Sequence, residues 1–449
     1  MKIDAIIKQL SPLAEESCKI EEKLFKEFDV KRGLRNADHT GVLVGLTKVG
    51  SVIGYEKVDG KLVAIDGKLI YRGIDINDIV HGCQQEKRFG YDETVFLLLF
   101  GRLPSPEELE KFSEGMAELR FLPENFNRDM ILTMKGKDIM NMLARSILAL
   151  YTLDEHADDT SIENILLQSI SLIAKFPTIA AYSYHAMQHL IYYDTLTVRY
   201  PDKLLSTAEN FLYMLKGNEY TPLEAELLDL CLILHAEHGG GNNSTFTTRV
   251  VSSSGTDTYS AIVAAIGSLK GPLHGGANIA VVDMMADIKN HVKNWSNDEE
   301  LADYLRKILN KEAHDRSGKI YGFGHAVYTV SDPRAILLKE KARLLSREKG
   351  RESEMGLYEA IERIGPEIYY EFKATQDKLI SPNVDFYSGF VYDCLKIPKE
   401  LYTPLFAISR ISGWCAHRLE ELISGRRIIR PAYKALTPDT NYIPLKDRQ

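Results

Sequence analysis

Cysteine and tryptophan are scarce in this 449-residue chain, which has five and two of them. No uninterrupted apolar run is long enough to span a bilayer. The cysteines are scattered and odd in number, which argues against a disulfide framework and favours a reducing compartment. The net charge of −8 argues against nucleic acid as the main partner. The N-terminal segment resembles neither a secretory signal nor a transit peptide. These absences predict a cytoplasmic protein without a membrane segment or a nucleic-acid partner.

A regular alternation of strands and helices is also missing, so a parallel sheet is not expected. Apolar residues recur instead at helical spacing along most of the chain. Several helix starts are marked by a capping residue followed by proline, which is typical of a first helical turn. They lie at Ser105-Pro106, Thr221-Pro222 and Thr403-Pro404. The sequence therefore predicts an all-α protein.

Strand signals are confined to about residues 52–72. Short β-branched runs there surround Asp59-Gly60 and Asp66-Gly67. Both pairs are typical of hairpin turns, so we expect minor β-hairpins in this region.

A change in composition indicates how the chain is organised. The segment from about 291 to 380 is richer in Lys, Arg and Glu than the apolar helices on either side. We interpret it as the main part of a small helical domain, residues 279–384, inserted into the chain. Residues 1–278 and 385–449 then form one large helical domain, with a cleft between the two domains.

The most informative stretch is Gly322–Arg334, which reads Gly-Phe-Gly-His-Ala-Val-Tyr-Thr-Val-Ser-Asp-Pro-Arg. His325 lies on a glycine-containing loop, where the backbone can approach a ligand closely. Asp332 suits an N-cap and Pro333 suits the first helical position, which places Arg334 in the first turn. Helix N-terminal amides and a guanidinium group together favour a carboxylate. For this stretch alone, an ordinary loop histidine and a surface arginine remain the alternative.

Two histidines, His235 and His238, precede a glycine triplet at the predicted end of a buried helix. At this spacing they would share one helix face, so a metal pair is conceivable. The spacing is not that of zinc peptidases and no third ligand is nearby, so a structural or anion-binding role is favoured. The glycines are not a dinucleotide fingerprint, because no strand precedes them.

His274 lies in the segment Gly-Pro-Leu-His-Gly-Gly, directly before a helix predicted to begin near Ala277. The positive partial charge of a helix N-terminus disfavours an imidazolium ion. We therefore expect a neutral His274 that can donate a hydrogen bond to a developing oxyanion. A loop histidine bonded to the backbone is the alternative.

Asp385 follows Ser-Pro-Asn-Val in a segment that we expect to be a loop, because Pro382 is unfavourable for a regular helix. Apolar and aromatic neighbours would desolvate the carboxyl group and raise its pKa toward that of a general base. The alternative is an Asx-turn aspartate. Two arginines follow, Arg410 within a predicted helix and Arg430 before Pro431.

These segments, in this order, resemble those of the citrate synthase family, and Gly322–Arg334 fits the family's signature pattern. The resemblance spans roughly residues 40–435. It implies an all-α enzyme that condenses acetyl-CoA with oxaloacetate and hydrolyses citryl-CoA, with acetyl-CoA as a substrate and no metal or cofactor. The catalytic residues that it implies are His274, His325 and Asp385. It further implies that oxaloacetate is held by His238, Arg334, Arg410 and Arg430, the last donated by the partner in a homodimer.

Two positions depart from the family pattern at the expected CoA entrance. Thr329 replaces the usual Lys or Arg, and Ala326 stands where bacterial relatives often have Arg. The residues that we expect at the CoA site are Gly322, Gly324, Lys373 and Lys378, the two lysines as weaker candidates. The N-terminal region does not resemble the β-rich domain of the hexameric, NADH-inhibited branch, so we expect a dimer without that regulation.

Three alternatives to citrate synthase remain open. A 2-methylcitrate synthase would use propionyl-CoA and differ in pocket volume. A catalytically inactive helical dimer of the same fold would have lost CoA binding through Thr329 and Ala326. A metal hydrolase would be built on His235 and His238.

Overall fold

The computed structural model describes residues 2–36, 40–373, 379–425 and 427–448, apart from the side chains of Lys2 and Ala5. The chain divides into two compact units, Met1–Thr47 and Lys48–Gln449. Seventeen α-helices lie within the described residues: α1 (Lys2–Cys18), α2 (Glu22–Glu27), α3 (Ile76–Gln85), α4 (Tyr91–Phe100), α5 (Pro106–Leu119), α6 (Ile139–Tyr151), α7 (Ile162–Tyr192), α8 (Thr207–Lys216), α9 (Pro222–His235), α10 (Asn243–Ser252), α11 (Thr258–Lys270), α12 (Ala277–His291), α13 (Asp298–Leu309), α14 (Pro333–Glu348), α15 (Glu352–Lys373), α16 (Val384–Cys394) and α17 (Tyr402–Ser424). The all-α prediction is confirmed.

Two of the three predicted helix starts carry the expected caps. The third is wrong, because α17 begins at Tyr402, so Thr403 and Pro404 lie inside its first turn and the Thr403 hydroxyl donates to the Gly275 carbonyl at 2.9 Å. At α5 the Ser105 hydroxyl accepts a hydrogen bond from the Glu108 amide, and the Glu108 carboxylate accepts one from the Ser105 amide. At α9 the Thr221 hydroxyl accepts from the Glu224 amide, with Pro222 at the first helical position. Each cap satisfies an amide that the helix itself leaves without a partner.

The long helix α7 is apolar enough to cross a membrane by length and composition alone. However, 72% of its most apolar window is buried inside the protein. A helix that is apolar all round and buried by protein is typical of the core of a large domain.

The helix α17 is buried from Tyr402 to Leu419 along most of its faces and packs against α4, α7, α9, α10 and α11. Its polar side chains are mostly satisfied by neighbouring residues. Arg418 illustrates this: its three guanidinium nitrogens donate to Thr258 Oγ1 at 3.3 Å, Ser252 Oγ at 3.2 Å and the Thr256 carbonyl at 2.7 Å. A buried polar group without such partners destabilises the fold by about 1–3 kcal/mol, so exceptions on this helix are informative.

One antiparallel sheet is formed by β1 (Gly50–Val58), β2 (Lys61–Tyr71) and β3 (Ile74–Asp75), in that order. The predicted turn at Asp59-Gly60 joins β1 to β2, with φ angles of 48° and 81°. The second predicted turn is wrong. Asp66-Gly67 lies inside β2, opposite the point between Ile53 and Tyr55 where the strand register shifts.

The glycines at this irregularity allow the sheet to pack closely on the signature segment, Gly322–Arg334. A Cβ atom at Gly54 would clash with the Val327 carbonyl, and one at Gly67 would clash with the Ser331 carbonyl. The Gly67 amide also donates to the Ser331 carbonyl at 3.2 Å. Glycine inside a strand often marks such a close backbone approach, which here supports the loop that carries His325.

The two-domain division stays a prediction. Within the second compact unit, α14 packs against α3, α9, α15 and α16, and α12 packs against α16. Except for the contact between α14 and α15, which lies within the predicted small domain (residues 279–384), these contacts join helices of that domain to helices of the predicted large one.

Candidate active site

The N-terminus of α14 has the predicted arrangement. Asp332 is its N-cap and accepts a hydrogen bond from the Arg334 amide at 3.0 Å, and Pro333 occupies the first helical position. Asp332 also binds the Arg334 side chain, through Nε at 3.0 Å and Nη2 at 2.7 Å, in a fully buried pair. Burial opposes the charge, but Asp332 raises the pKa of Arg334, which therefore stays protonated. Sequence patterns did not reveal this second use of Asp332.

His325 is held in one tautomer by its own loop. Its Nδ1 accepts hydrogen bonds from the amides of Val327 and Tyr328, both at 3.1 Å. In a neutral ring the proton then lies on Nε2, which becomes the donor. The ring stacks on Tyr328 with centroids 4.8 Å apart and meets the His238 ring edge-on at 5.0 Å. Two histidines from separate segments of the sequence are therefore neighbours.

His235 and His238 do not form a pair on one helix face, so that expectation is wrong. The helix α9 ends at His235, and His238 lies in the turn beyond it. The His235 ring packs on Phe406 at 4.5 Å, whereas His238 faces His325. Burial, followed by the charge of Arg334, lowers the pKa of both histidines well below the usual range. In the part of the chain that the structure describes, no group of three or more His, Cys, Asp or Glu residues could hold a metal ion.

Arg410 is the exception among the buried polar residues of α17. Its Nε donates to the His235 carbonyl at 2.6 Å, and its guanidinium lies 4.7 Å from the Phe406 ring centroid. Its Nη1 and Nη2 are buried without a hydrogen-bond partner among the described residues, as is Nε2 of His238. Burial lowers the pKa of Arg410 to about 10, so the group is still charged at neutral pH. A carboxylate would satisfy two parallel guanidinium donors of this kind.

Asp385 lies in the first turn of α16, not in a loop as expected. Asn383 is the N-cap and accepts from the Asp385 amide at 3.0 Å, so the helix begins directly after Pro382. Proline is unfavourable inside a helix, but it is tolerated before the N-cap. Burial raises the pKa of Asp385 to about 6, against the opposing charge of Arg334. The residue is only partly buried by surface area, so its carboxyl group keeps some access to solvent.

The loop of His325 and the start of α16 are joined by backbone hydrogen bonds. The Gly324 amide donates to the Ser381 carbonyl at 2.9 Å, and the Asn383 amide donates to the Gly322 carbonyl at 2.8 Å. Gly322 and Gly324 have φ angles of 83° and 82°, which favour glycine. A side chain at Gly322 would also clash with Phe386 and Val281. The predicted residues His325 and Asp385 are therefore carried by two connected segments.

His274 lies just before α12, which begins at Ala277 as predicted. Its Nε2 is 3.1 Å from Ser244 Oγ, which also accepts a hydrogen bond from Trp414 Nε1 at 3.1 Å. The pKa of His274 is lowered to about 4, chiefly by burial and secondarily by the charge of Arg410. Burial and the helix N-terminus both favour a neutral His274 ring. The helix N-terminus was the reason drawn from the sequence, whereas burial is the main cause of the lowered pKa.

The remaining predicted residues lie outside the group of side chains described above, which are His238, His274, His325, Arg334, Asp385 and Arg410. Arg430 is exposed in the segment after α17, and Lys373 is exposed at the end of α15 with its ammonium group 5.5 Å from the Phe372 ring. Lys378 lies outside the described residues. Thr329 is buried and its hydroxyl has no hydrogen-bond partner within the described part of the chain, whereas Ala326 is exposed.

Sequence reasoning missed a buried network below His238. The carboxylate of Glu237 accepts from His417 Nε2 at 2.9 Å and from the Gly239 amide. Nδ1 of His417 in turn accepts from Arg249 Nε at 3.1 Å. Burial opposes ionisation, but His417 and then Arg410 hold the pKa of Glu237 below its usual range. Distant segments contribute these residues, so no local spacing could have indicated them.

The family model described as citrate synthase, C-terminal domain, matches residues 38–432. The chain belongs to the citrate synthase family. Members of this family are acyltransferases, and the chain is an enzyme of that class. A citrate synthase from Deinococcus radiodurans is 39% identical over 398 residues, which cover 87% of this chain and 96% of that protein. The citrate synthase from Haloferax volcanii is 36% identical over 426 residues, which cover 94% and 99%.

Solved structures of citrate synthases share the fold. The enzyme from Pyrobaculum aerophilum superposes with a TM-score of 0.73 at 32% identity, covering 92% of this chain and 95% of that one. The enzyme from Thermoplasma acidophilum, solved as a ternary complex with carboxymethyl coenzyme A and oxaloacetate, superposes with a TM-score of 0.74 at 26% identity, covering 93% of this chain and 99% of that one.

Proposed function

We propose that this protein is a citrate synthase, which condenses acetyl-CoA with oxaloacetate and releases citrate and CoA. The observation that carries the proposal is the pair of buried donors on Arg410 that have no partner among the described residues. They accompany the neutral rings of His238 and His274 and the carboxyl group of Asp385, whose pKa is raised. Each of these groups has a use in a condensation of this kind. The complex of the Thermoplasma relative with oxaloacetate supports the same substrate.

In this proposal oxaloacetate is bound as a dianion. Arg410 binds one carboxylate through Nη1 and Nη2, because both donors are otherwise unsatisfied. Arg334 contributes Nη1, since its other two nitrogens are occupied by Asp332. His238 donates through Nε2. Arg430 is exposed in its own chain, and we assign it to the active site of the partner in a homodimer.

The first chemical step is removal of a proton from the methyl group of acetyl-CoA. Asp385 is the base, and its pKa of about 6 leaves it ionised at neutral pH yet more basic than an ordinary aspartate. The enolate oxygen that forms needs a neutral donor, and His274 meets this requirement. Because Ser244 occupies Nε2 of His274, the donor toward the substrate is Nδ1. Ser244 then donates its hydroxyl hydrogen to Nε2.

The enolate carbon next attacks the ketone carbon of oxaloacetate, and a carbon–carbon bond replaces the carbonyl π bond. His325 donates its Nε2 proton to the ketone oxygen, which becomes the hydroxyl group of citryl-CoA. The proton that Asp385 removed from the methyl group then restores His325, so both residues return to their starting forms. Water then cleaves the thioester, giving a carboxylate and the free thiol of CoA. These steps use no redox change, so we propose that the enzyme needs no cofactor besides its substrates.

For CoA we propose contacts with the backbone around Gly322 and Gly324 and a weaker electrostatic contribution from Lys373 and Lys378. Thr329 is buried, so it is not a substitute for the basic residue usual at that position. Movement of the predicted small domain, residues 279–384, over the predicted large one would exclude water before proton transfer.

The test is release of free thiol from acetyl-CoA in the presence and absence of oxaloacetate. We expect oxaloacetate-dependent release, unchanged by a metal chelator, with kcat/KM higher for acetyl-CoA than for propionyl-CoA. A higher kcat/KM for propionyl-CoA would indicate a 2-methylcitrate synthase. No release with either thioester, in protein with a cooperative thermal transition, would contradict the enzyme proposal.

The network below His238 leads to a prediction about positioning. We expect His417→Asn to raise KM for oxaloacetate by about tenfold, since loss of a hydrogen bond to a buried carboxylate costs about 1.5–3 kcal/mol and leaves the turn of His238 less fixed. The change in kcat should be much smaller. Steady-state kinetics with varied oxaloacetate measure both constants.

His417→Gln is the matched control. The glutamine amide occupies the place of Nε2 and can still donate to Glu237, whereas asparagine occupies the place of Nδ1 and reaches only Arg249. KM should therefore remain near the wild-type value in His417→Gln. Equal KM values for the two variants would show that the contact with Glu237 does not position His238.

A further inference from the structure

A second cavity of about 750 Å³ lies among α3, α8, α9 and α14. No residue assigned above to substrates lines it. Its volume falls within the range of about 300–1,000 Å³ that is usual for small-molecule sites. Its walls carry both charged and apolar side chains. The charged groups that lack a hydrogen-bond partner indicate which charge a ligand must carry.

The carboxylates in the wall already have partners. Asp229 accepts from the amides of Gly90 at 2.7 Å and Tyr91 at 3.2 Å. Glu209 accepts from the Ser206 amide at 2.9 Å, and Glu226 pairs with Lys341 at 3.3 Å. These acidic groups therefore have little need of a cationic ligand.

The one buried side-chain atom of the wall without a hydrogen-bond partner among the described residues is a donor. Nη1 of Arg88 is buried and makes no hydrogen bond within the described residues, although Nε and Nη2 of the same side chain pair with Glu86 and Glu93. Lys87 also lines the cavity and is exposed. A buried guanidinium nitrogen without an acceptor favours an anion.

The rest of the wall is apolar. Leu230 and Ile233 of α9 are buried at the cavity, and the aromatic rings of Phe89 and Tyr220 also line it. An occupant that satisfies both parts of the wall has one anionic group and an apolar or aromatic body. Inorganic phosphate or a fully polar dicarboxylate would leave the apolar part in contact with water.

We propose that this cavity is a second ligand site, which takes an organic anion with an apolar body and is coupled to the active site. Ile233 lies on α9 within one turn of His235, where the chain enters the active site. Lys341 lies on α14, two helical turns from Arg334. An occupant thus contacts α9, which leads into the turn of His238, and α14, which carries Arg334. The coupling rests on the proposed function, whereas binding of the anion does not.

The binding test uses benzoate, phenyl phosphate and benzyl alcohol as probes in ligand-observed NMR titrations of the full chain. We expect the two anions to bind at least about tenfold more tightly than the neutral alcohol. A preference for benzoate or for phenyl phosphate identifies a carboxylate or a phosphate as the natural head group. Equal affinity of all three probes would overturn the assignment of an anion.

Variants locate the site. Arg88→Met removes the unpartnered donor, and Gln84→Trp fills the cavity from an exposed position on its rim. Each should weaken benzoate binding by about tenfold or more, whereas Arg102→Met, at an exposed arginine outside the cavity, should not. Unchanged binding in Gln84→Trp, or loss of binding in Arg410→Met, would overturn the location.

Kinetics test the coupling. Saturating benzoate should change KM for oxaloacetate by about fivefold or more in the wild type and not in Gln84→Trp. Bound benzoate with an unchanged KM would overturn the coupling but not the site. A protein that binds benzoate and releases no thiol would contradict the proposed function while leaving the cavity assignment intact.

Discussion

Replacing Asp385 with asparagine is expected to lower kcat by about 10²–10⁴-fold, the range attributed to a positioned general base. The amide keeps the shape of the side chain but cannot take a proton from the methyl group of acetyl-CoA. Binding of oxaloacetate should be nearly unchanged, because its proposed ligands lie on other residues. Steady-state kinetics and an oxaloacetate titration measure the two effects separately.

Asp393→Asn is the control for this variant. Asp393 lies near the other end of α16, half-exposed and paired with Arg351 at 2.6 Å. Its substitution should leave kcat unchanged. A similar fall in kcat for both variants would indicate that α16 is sensitive to substitution in general and that Asp385 is not the base.

The pH dependence of Asp385 has opposite signs for activity and stability. In the proposed mechanism activity requires the ionised form, so kcat/KM for acetyl-CoA should fall below about pH 6, the pKa of the folded state. Stability behaves differently, because a carboxyl group with a raised pKa binds more protons folded than unfolded. Its contribution is fully present below the unfolded value of 3.8 and is lost as pH rises through about 6. Asp385→Asn should therefore lack the activity inflection and gain stability relative to wild type above pH 6.

Substitution of Arg410 by methionine is expected to raise KM for oxaloacetate by at least about 30-fold. Truncating one partner of a buried charge pair costs about 2–5 kcal/mol, and each 1.4 kcal/mol corresponds to a factor of ten. The free protein should lose less stability than from removal of a fully paired arginine, because Nε, which donates to the His235 carbonyl, is the one nitrogen of Arg410 with a protein partner among the described residues. We expect oxaloacetate to raise the melting temperature of the wild type by binding to the folded state, and not to raise that of the variant.

Arg418→Met is a matched comparison on the same helix. Both arginines are fully buried, but all three guanidinium nitrogens of Arg418 are satisfied by protein groups. Its removal should reduce the free energy of unfolding by about 2–4 kcal/mol and leave KM for oxaloacetate close to wild type. If instead Arg410→Met were the less stable variant with an unchanged KM, Arg410 would be a structural residue.

Local chemistry explains what the sequence could predict. The N-cap at Asp332, the proline at position 333 and the turn at Asp59-Gly60 depend on neighbouring residues only, and the structure has them as expected. The same kind of reasoning was wrong at Asp66-Gly67. There a dipeptide typical of a turn lies inside a strand, because the glycine is needed for contact with the signature segment.

The site depends more on tertiary contacts. Pro382 indicated a loop around Asp385, but an asparagine between them caps a helix whose start is compatible with the proline. The pairing of Glu237 with His417 and the unsatisfied nitrogens of Arg410 become visible only when distant segments are brought together. Residue types therefore indicated the candidate groups for the proposed chemistry, and packing determines their protonation and their free donors.

The hydrogen bonds between Gly324 and Ser381 and between Gly322 and Asn383 have a kinetic consequence. Asp385, the proposed proton acceptor, and His325, which we propose to polarise the ketone, are carried on one connected piece of backbone. In the proposed domain movement Asp385 and His325 would move together and would not have to be brought together again in every turnover. After product release, the proposed site would be restored by a single movement that brings this connected backbone back to Arg410 on α17.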